Sequence, residues 1–217
     1  MTASSPATAA PASALPNTFD GVQLHSLWYD SWQTDTVRDL DMAKEAGSNV
    51  VRLDVGWQSL QPARGEYSQW YVDRLDYFTS RLKEHGVYFG WSHTYGFHVV
   101  PGDRKRLLAY DEIASNLKGN TYAFIHFAED VQDLMIEMVV NLLKHKNPHT
   151  GLVYAQDPAL AFIELQNEDD IFFYTSERVF NACPTYKKLF TARFADWLKA
   201  KYGSDETLSQ AWGGLKE

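Results

Sequence analysis

Apolar and polar positions along the chain follow two periods, one typical of buried strands and one typical of amphipathic helices. Short apolar runs rich in β-branched and aromatic residues predict strands at residues 21–27, 49–55, 87–92 and 159–165. Apolar residues at helical spacing predict helices at residues 34–46, 68–85, 120–144, 185–201 and 205–212. In the helix over 185–201 we expect the inward face to hold Leu189, Phe190, Phe194, Trp197 and Leu198.

A strand followed by a helix, four times over, predicts an α/β fold with parallel strands and right-handed crossovers. The strands are continuous apolar runs, as expected when both faces of a sheet are covered. Neither GxGxxG after the first strand nor GxxxxGK occurs in the chain, so a barrel of βα units fits better than a nucleotide-binding fold. Residues 93–118 form a long connection of the kind that carries function or moves.

The chain divides into a leader, residues 1–16, and one domain, residues 17–217. The leader is rich in Ala, Ser, Thr and Pro and carries no charged side chain, which predicts a disordered linker. It lacks the basic start and continuous apolar centre of an intact signal peptide. A secreted or periplasmic location is compatible with such a leader and is our expectation.

Composition excludes several classes of function. The chain of 217 residues is 45% hydrophobic, which is ample for a core, and its net charge of −8 argues against a nucleic-acid partner. No apolar run reaches the length of a membrane span. Cys183 is the only cysteine, so the chain has neither an internal disulfide nor a thiolate metal cluster.

Two histidine pairs are candidate metal ligands. His93 and His98 follow the third strand, and His145 and His149 straddle the end of a helix near a proline. Neither pair comes with a carboxylate at a recognisable spacing, so we expect no metal and no cofactor.

The chemistry of interest lies at the end of the fourth predicted strand. The apolar run 159–165 holds a single charge, Glu164, and is followed by Gln166, Asn167, Glu168 and Asp169. The carboxyl ends of parallel strands are where active sites of such sheets lie. The alternative is that Asn167 and Glu168 begin an ordinary solvated loop.

Several segments together resemble a known family. Residues 49–53 (NVVRL), Trp57 with the turn at 62–67, residues 162–168 (FIELQNE) and residues 194–213 are similar to clan A glycoside hydrolases. These are retaining (β/α)8 glycosidases that include cellulases, mannanases and β-galactosidases. The resemblance covers roughly residues 19–213. One departure is Asp169, which stands where these enzymes often have Pro.

The resemblance implies a role for each matching residue. Glu168 would be the general acid/base, and Asn167 would hold the sugar 2-hydroxyl. Arg52 would orient the nucleophile and stabilise its charge. The remaining implied substrate-binding residues are His93, Trp57, Trp91 and Tyr95, the aromatic ones by stacking on sugar rings.

Each role has a structural alternative. Arg52 inside an apolar strand would form a buried ion pair with Asp54 or Glu164. Trp57 and Trp91 would be packing residues, and His93 would be a loop histidine with satisfied hydrogen bonds.

Length indicates half of a TIM barrel. Only residues 171–217 follow the fourth strand, whereas a complete barrel typically has about 250 residues. We therefore expect a parallel (βα)4 half-barrel, in which the family's nucleophile on the seventh strand has no counterpart. Candidates for a second carboxylate within the chain are Glu164, Asp169 and Asp54.

The expected function is hydrolysis of β-linked glycans by carboxylate acid/base catalysis, completed by self-association or by a complementing half-barrel chain. A homodimer would bury a shared core, for which we expect Val22, Leu24, Val51, Leu53, Phe89 and Phe162. The alternative is a carbohydrate-binding half-barrel without catalysis. A glucan, a mannan and a galactoside are equally compatible as substrate, and retaining and inverting outcomes both remain open.

Overall fold

A single parallel sheet organises the molecule. The computed structural model describes residues 24–27, 36–94, 97–172 and 176–214, and in these four strands lie in the order β1-β2-β3-β4. All three strand pairs are parallel. The predicted α/β class and the chain-order parallel sheet are thereby confirmed.

The elements alternate as the sequence pattern indicates. The strands are β1 (Leu24–Leu27), β2 (Val50–Asp54), β3 (Tyr88–Thr94) and β4 (Leu160–Asn167). The helices are α1 (Thr36–Glu45), α2 (Trp57–Leu60), α3 (Gln69–Glu84), α4 (Tyr110–Asn116), α5 (Glu129–Lys144), α6 (Ser176–Ala182), α7 (Pro184–Tyr202) and α8 (Asp205–Ala211), with 3₁₀ segments at Tyr122–His126 and Tyr154–Gln156.

The structure differs from the predicted elements in three places. The helix expected over 120–144 is broken, because Ala128 has extended backbone and α5 begins only at Glu129, where two acidic residues favour a helix start. The 3₁₀ segment before it starts at Tyr122, which has a positive φ of 42°. The long connection 93–118 contains the helix α4, and β4 extends to Asn167 beyond the apolar run.

The face of the sheet that packs on the helices forms the hydrophobic core. Val51, Leu53, Phe89 and Trp91 are all fully buried in it, among side chains of α1, α3 and α5. The expectation that Val51, Leu53 and Phe89 contribute to a core shared between two copies is therefore wrong, because helices of the same chain already cover them. Val22 and the side chain of Leu24 lie outside the described part.

The opposite face, which would line the interior of a barrel, is different in character. Register pairs Arg52 with Gly90, and Gly90 with Phe162, so these residues share this face. A Cβ at Gly90 would overlap the ring of Phe162, so the ring lies directly over the glycine. The inner face thus combines one close aromatic contact with charged side chains nearer the carboxyl edge.

The helix α7 is much less buried than its sequence predicts. Among the expected inward residues, Leu189 and Phe190 are partly buried, but Phe194 and Trp197 are 42% and 50% exposed. The expectation is wrong for these two because α7 packs on α6 and α8 rather than along the sheet. Their rings continue a row of parallel aromatic side chains that begins at Phe180 and Phe190 in the core.

Strands β1 and β4 are the two edges of the described sheet. Along β4 the residues are only partly buried, and Leu165 is 48% exposed. None of the helices in the described ranges is long and apolar enough to cross a membrane.

Candidate functional site

The carboxyl ends of β2, β3 and β4 meet at one edge of the sheet because the strands are parallel. Ser92 lies opposite Asp54 on one side and opposite Glu164 on the other. The register then shifts, and Asn167 rather than Gln166 lies opposite Thr94. The extra residue on β4 is a bulge, a feature that re-aims side chains next to active sites.

A charged cluster occupies the inner face below this edge. Nη2 of Arg52 lies 2.8 Å from Oε2 of Glu164, and Nη1 lies 3.2 Å from Oδ1 of Asp54. Arg52 also donates from Nη2 to Oγ of Ser92 at 2.6 Å, and Oγ of Ser92 donates to Oε2 of Glu164 at 2.5 Å. The structural alternative for Arg52 is therefore observed, and it holds both carboxylates at once.

The electrostatics of Glu164 follow from these contacts. Partial burial acts to raise the pKa of Glu164, but the hydrogen bonds from Ser92 and Arg52 and the positive charge of Arg52 outweigh it, so the pKa lies below its ordinary value of 4.5. Glu164 is therefore an ionised partner of Arg52 at neutral pH.

Asn167 and Glu168 stand where the sequence places the site. Asn167 is the last residue of β4 and is half-buried, whereas Glu168 is exposed just beyond it. Glu168 has a φ of 50°, a left-handed conformation that costs an L residue about 1–2 kcal/mol. An exposed carboxyl group beside an amide, at the carboxyl end of a strand, can donate or accept a proton at a bound ligand.

Asp169 is buried, unlike its neighbour Glu168. Oδ2 of Asp169 accepts a hydrogen bond from Nε2 of Gln166 at 2.7 Å, and Oδ1 has no partner among the described residues. Burial raises the pKa of Asp169 to about 6, against the opposing hydrogen bond from Gln166 and the charge of His126.

The three candidate second carboxylates are therefore in different states. Asp54 and Asp169 are 1% and 3% exposed, and Glu164 is tied to Arg52 and Ser92. In this arrangement none of the three presents a solvent-exposed, unengaged carboxylate beside Glu168.

His93 and Trp57 form a buried stack next to the edge. Their ring centroids are 4.0 Å apart, and Phe97 meets Trp57 edge-on. Nδ1 of His93 donates to the carbonyl of Val55 at 3.3 Å, and burial lowers the pKa of His93 to about 4, so the ring is neutral at pH 7. Nε2 of His93 and Nε1 of Trp57 have no partner within the described ranges.

The aromatic residues expected to stack on sugar rings are not placed alike. Trp91 is fully buried in the core and meets Tyr154 edge-on at 4.7 Å, and Trp57 is 3% exposed. In this arrangement neither offers a ring face to solvent, which corresponds to the packing alternative for both. Tyr95 lies outside the described residues.

Two residues at the site were not predicted from the sequence. Ser92 bridges Arg52 and Glu164, and His126, from the 3₁₀ segment, donates from Nε2 to the carbonyl of Asp169 at 2.6 Å. Strand alternation from Arg52 and Glu164 could have placed Ser92 on the same face once the register was known. No pattern in the sequence indicates His126, which is 43 residues away from Asp169.

Three of the four histidines in the two candidate pairs have side-chain contacts within the described residues, and His98 is partly buried. His145 donates to Asp76 at 2.7 Å, and His149 meets Tyr77 edge-on. Burial lowers the pKa of His98 to about 4. Across the part of the chain that the structure describes, no group of three or more His, Cys, Asp or Glu residues is arranged to hold a metal ion.

Comparison with known proteins identifies relatives of one kind. No protein-family model matches the chain. It is 28% identical over 130 residues to mannan endo-1,4-beta-mannosidase 4 of Oryza sativa subsp. japonica, which covers 58% of this chain and 28% of the rice protein.

Solved structures agree with this relationship at the level of the fold. A glycoside hydrolase family 5 mannosidase from Rhizomucor miehei superposes with a TM-score of 0.51 at 14% identity, over 75% of this chain and 49% of that chain. An endo-1,4-beta-D-mannanase from Thermotoga petrophila RKU-1 gives a TM-score of 0.49 at 20% identity, over 66% and 44%, and adds no argument of its own. The chain spans about half the length of these structures or less. The chain is thus similar in sequence to a mannan-cleaving glycoside hydrolase, and it has part of the TIM-barrel-like fold of glycoside hydrolase family 5.

Proposed function

We propose that the chain supplies the acid/base part of a glycoside hydrolase site that acts on a β-linked glycan. The observation that carries the proposal is the position of Asn167 and Glu168. Asn167 ends β4 and Glu168 follows it, at the edge where Arg52, Ser92 and Glu164 meet, and Glu168 is exposed there. Glu168 protonates the glycosidic oxygen and then activates water, and Asn167 holds the sugar 2-hydroxyl.

The ion pairs of Arg52 suggest a more limited role for this residue than its resemblance implies. Its guanidinium already contacts Asp54 and Glu164, so one positive charge is shared between two carboxylates on the inner face. In the proposed site Arg52 mainly offsets the negative charge of its own strand neighbours and holds the edge in place. His93 is neutral with Nδ1 engaged, and its Nε2 is buried, so His93 serves as a sugar contact only where the edge above it opens. Tyr95 stays in the proposal as a stacking residue.

The second carboxylate comes, in this proposal, from another polypeptide. Asp54, Asp169 and Glu164 are buried or ion-paired, and β4 has an edge that is free for pairing within the described sheet. A second copy or a complementing half-barrel at that edge would bring a carboxylate towards Glu168. A separation of about 5–5.5 Å would give retention, and about 6.5–9.5 Å would give inversion.

The names of the relatives favour mannan among the compatible substrates. The rice relative is called a mannan endo-1,4-beta-mannosidase, and the Rhizomucor miehei structure is a family 5 mannosidase. We therefore place β-1,4-mannan first and β-glucans and β-galactosides after it.

A second candidate function is sugar binding without turnover. The engaged state of all three candidate carboxylates favours it, because hydrolysis needs two carboxyl groups flanking the bond. It retains Asn167 and Glu168 as contacts to sugar hydroxyls.

One experiment separates the two. The purified chain, Glu168→Gln and the control Asp170→Asn are assayed on β-1,4-mannan, manno-oligosaccharides, cello-oligosaccharides and aryl β-glycosides, and the mass of each sample is measured by sedimentation. Turnover in the chain and in Asp170→Asn, lost at least 100-fold in Glu168→Gln, supports the hydrolase. No turnover but calorimetric binding of manno-oligosaccharides supports the binding function. A folded chain with neither property contradicts the binding function and completion of the site by a second copy, and leaves only completion by a different half-barrel chain.

A further inference from the structure

Glu168 has a backbone conformation that its residue type disfavours. Its φ is 50°, and among non-glycine residues of the described ranges only Lys118 and Tyr122 share a positive φ. Such conformations persist only where surrounding structure imposes them, and they concentrate at functional sites. The question is therefore which contacts impose this conformation on Glu168.

The contacts converge on the next residue, Asp169. Its carbonyl oxygen accepts two hydrogen bonds, one from Nε2 of Gln166 at 2.9 Å and one from Nε2 of His126 at 2.6 Å. The same Gln166 nitrogen lies 2.7 Å from Oδ2 of Asp169. The side chain of Asp169 is buried, so it anchors the turn from below while Glu168 stays exposed above it.

The residue type at position 169 is part of the arrangement. Proline at this position would push Glu168 towards extended backbone, because the proline ring restricts the residue before it. Asp169 removes that restriction and adds a carboxylate that Gln166 can bind. The departure from proline and the positive φ of Glu168 are therefore physically connected.

We propose that His126, Gln166 and Asp169 form a clamp that holds Glu168 at positive φ, and that Asp169 is the positioning residue through which the clamp aims the Glu168 carboxyl group. The aiming role rests on the proposed function of Glu168 as acid/base, whereas the clamp itself does not. The clamp spans two elements, because His126 comes from the 3₁₀ segment before α5 and the other two residues come from β4 and its end. It thus fixes the end of β4 relative to the loop that follows β3.

The first test measures the clamp by stability alone. Glu168→Gly and Glu168→Ala are compared in urea unfolding, in the wild-type background and in the backgrounds Asp169→Ala and His126→Phe. Glycine tolerates positive φ and alanine does not, so we expect a folding equilibrium constant roughly tenfold larger for Glu168→Gly in the wild-type background. In the two clamp variants we expect this ratio to fall to one or below, since the backbone is then free to relax and glycine loses more conformational entropy on folding than alanine.

Two outcomes of this test would overturn the clamp. A Glu168→Ala variant that is more stable than Glu168→Gly in the wild-type background means that the turn is not strained, because only the entropy of glycine then separates the two. An unchanged tenfold ratio in both Asp169→Ala and His126→Phe means that other contacts impose the conformation. Neither result depends on sugar binding or turnover, so the test does not stand or fall with the proposed function.

The second test reads the position of Glu168 directly. Crystal structures of the wild-type chain and of Asp169→Ala give the φ of Glu168, which we expect to change from positive to negative on loss of the anchor. On a manno-oligosaccharide we expect Asp169→Ala to lower kcat about tenfold with little change in KM, and Asp169→Asn to recover most of the loss. A purely structural role for Asp169 would leave both φ and kcat unchanged in the folded fraction, and that result would refute the positioning role.

Absence of turnover in every sample, including the wild type, would count against the hydrolase proposal and not against the clamp. The stability comparison and the φ of Glu168 would still decide the clamp.

Discussion

The guanidinium of Arg52 on β2 and the carboxylate of Glu164 on β4 form an ion pair across the intervening strand β3, with 2.8 Å between Nη2 and Oε2. Ser92 of β3 completes the triangle, since its hydroxyl contacts both partners. These contacts connect the three adjacent strands β2, β3 and β4 near their carboxyl ends. The cluster holds the edge that carries Asn167 and Glu168.

Substitutions in this cluster are expected to differ in cost. Glu164→Gln keeps the shape of the side chain and removes its charge, and we expect it to lower the unfolding free energy by about 1 kcal/mol. The loss is small because the Glu164 side chain is 34% exposed and solvent screens the ion pair. Arg52→Met leaves the buried Asp54 without its guanidinium partner, so we expect about 3 kcal/mol or more. Urea unfolding at pH 7 measures both, and similar costs for the two variants would contradict this account.

The pH dependence of the Arg52–Glu164 pair has a defined sign. The pKa of Glu164 is depressed in the folded state, so its stabilising contribution is present above the ordinary value of 4.5 and is lost as the pH falls below it. We expect the stability difference between wild type and Glu164→Gln to shrink on acidification from pH 6 to pH 3. A difference that stays constant over this interval would show that the charge of Glu164 does not contribute.

Asp169 is expected to act in the opposite direction. Burial raises its pKa from 3.8 to about 6, so the folded state keeps a proton that the unfolded chain has released. The stability of the folded state that depends on protonated Asp169 is therefore fully present below pH 3.8 and is lost as the pH rises through about 6. The side chain in Asp169→Asn cannot ionise. As the pH rises from 4 to 7, we therefore expect the unfolding free energy of this variant to increase relative to that of the wild type by on the order of 2 kcal/mol. Urea unfolding at several pH values tests this, with Asp170→Asn as the control that should show no such trend.

Gly90 and Phe162 offer a test of packing on the inner face. A methyl group at position 90 would overlap the Phe162 ring, so we expect Gly90→Ala to destabilise the fold by about 1–3 kcal/mol. Phe162→Leu in the same chain should recover part of the loss, because it removes the ring that the methyl group meets. Additive costs in the double variant would mean that the two residues do not touch in solution.

The sequence predicted the strands better than it predicted the details of the site. Short apolar runs locate β2, β3 and β4 because the strand face that packs on the helices requires apolar residues, and Gly47 and Gly86 end helices where left-handed backbone is needed. The glycosidase resemblance located Asn167 and Glu168 at the end of β4. Local patterns suffice for features that depend on local backbone and burial.

Other features depend on contacts that are distant in sequence. The bulge that brings Asn167 opposite Thr94 is set by pairing with β3, and the bond from His126 to the carbonyl of Asp169 joins residues from different loops. Helical periodicity predicted an inward position for Trp197, but periodicity identifies a common face and not whether a neighbour covers it. Arg52 shows the same limit, since the sequence allowed Asp54 or Glu164 as its partner and the structure uses both.

A buried polar network on α3 lies far from these charges and should be sensitive to the loss of one hydroxyl group. The Tyr154 hydroxyl donates to Oδ1 of Asp76 at 2.8 Å and lies 3.0 Å from Oγ1 of Thr79, and His145 donates to Oδ2 of Asp76. Tyr154→Phe keeps the ring packed on Trp91 but leaves Asp76 with one donor fewer, so we expect a cost of about 1–3 kcal/mol in unfolding free energy. Tyr77→Phe, at a side chain that is 46% exposed, is the control and should cost under about 0.5 kcal/mol.

The exposed aromatic residues of α7 give the last prediction. Trp197 is 50% exposed and Phe194 is 42% exposed, whereas Phe124 is fully buried against Tyr186. We expect Trp197→Ser to cost less than about 1 kcal/mol and Phe124→Ala to cost about 3–5 kcal/mol in urea unfolding of the isolated chain. If a second copy of the chain covers this face in solution, the loss of unfolding free energy in Trp197→Ser should instead increase with protein concentration. Association stabilises the wild type by mass action, and the variant loses that gain. Urea unfolding of both variants at about 1 µM and about 100 µM protein, with sedimentation of the same samples, distinguishes an exposed aromatic face from one that is covered.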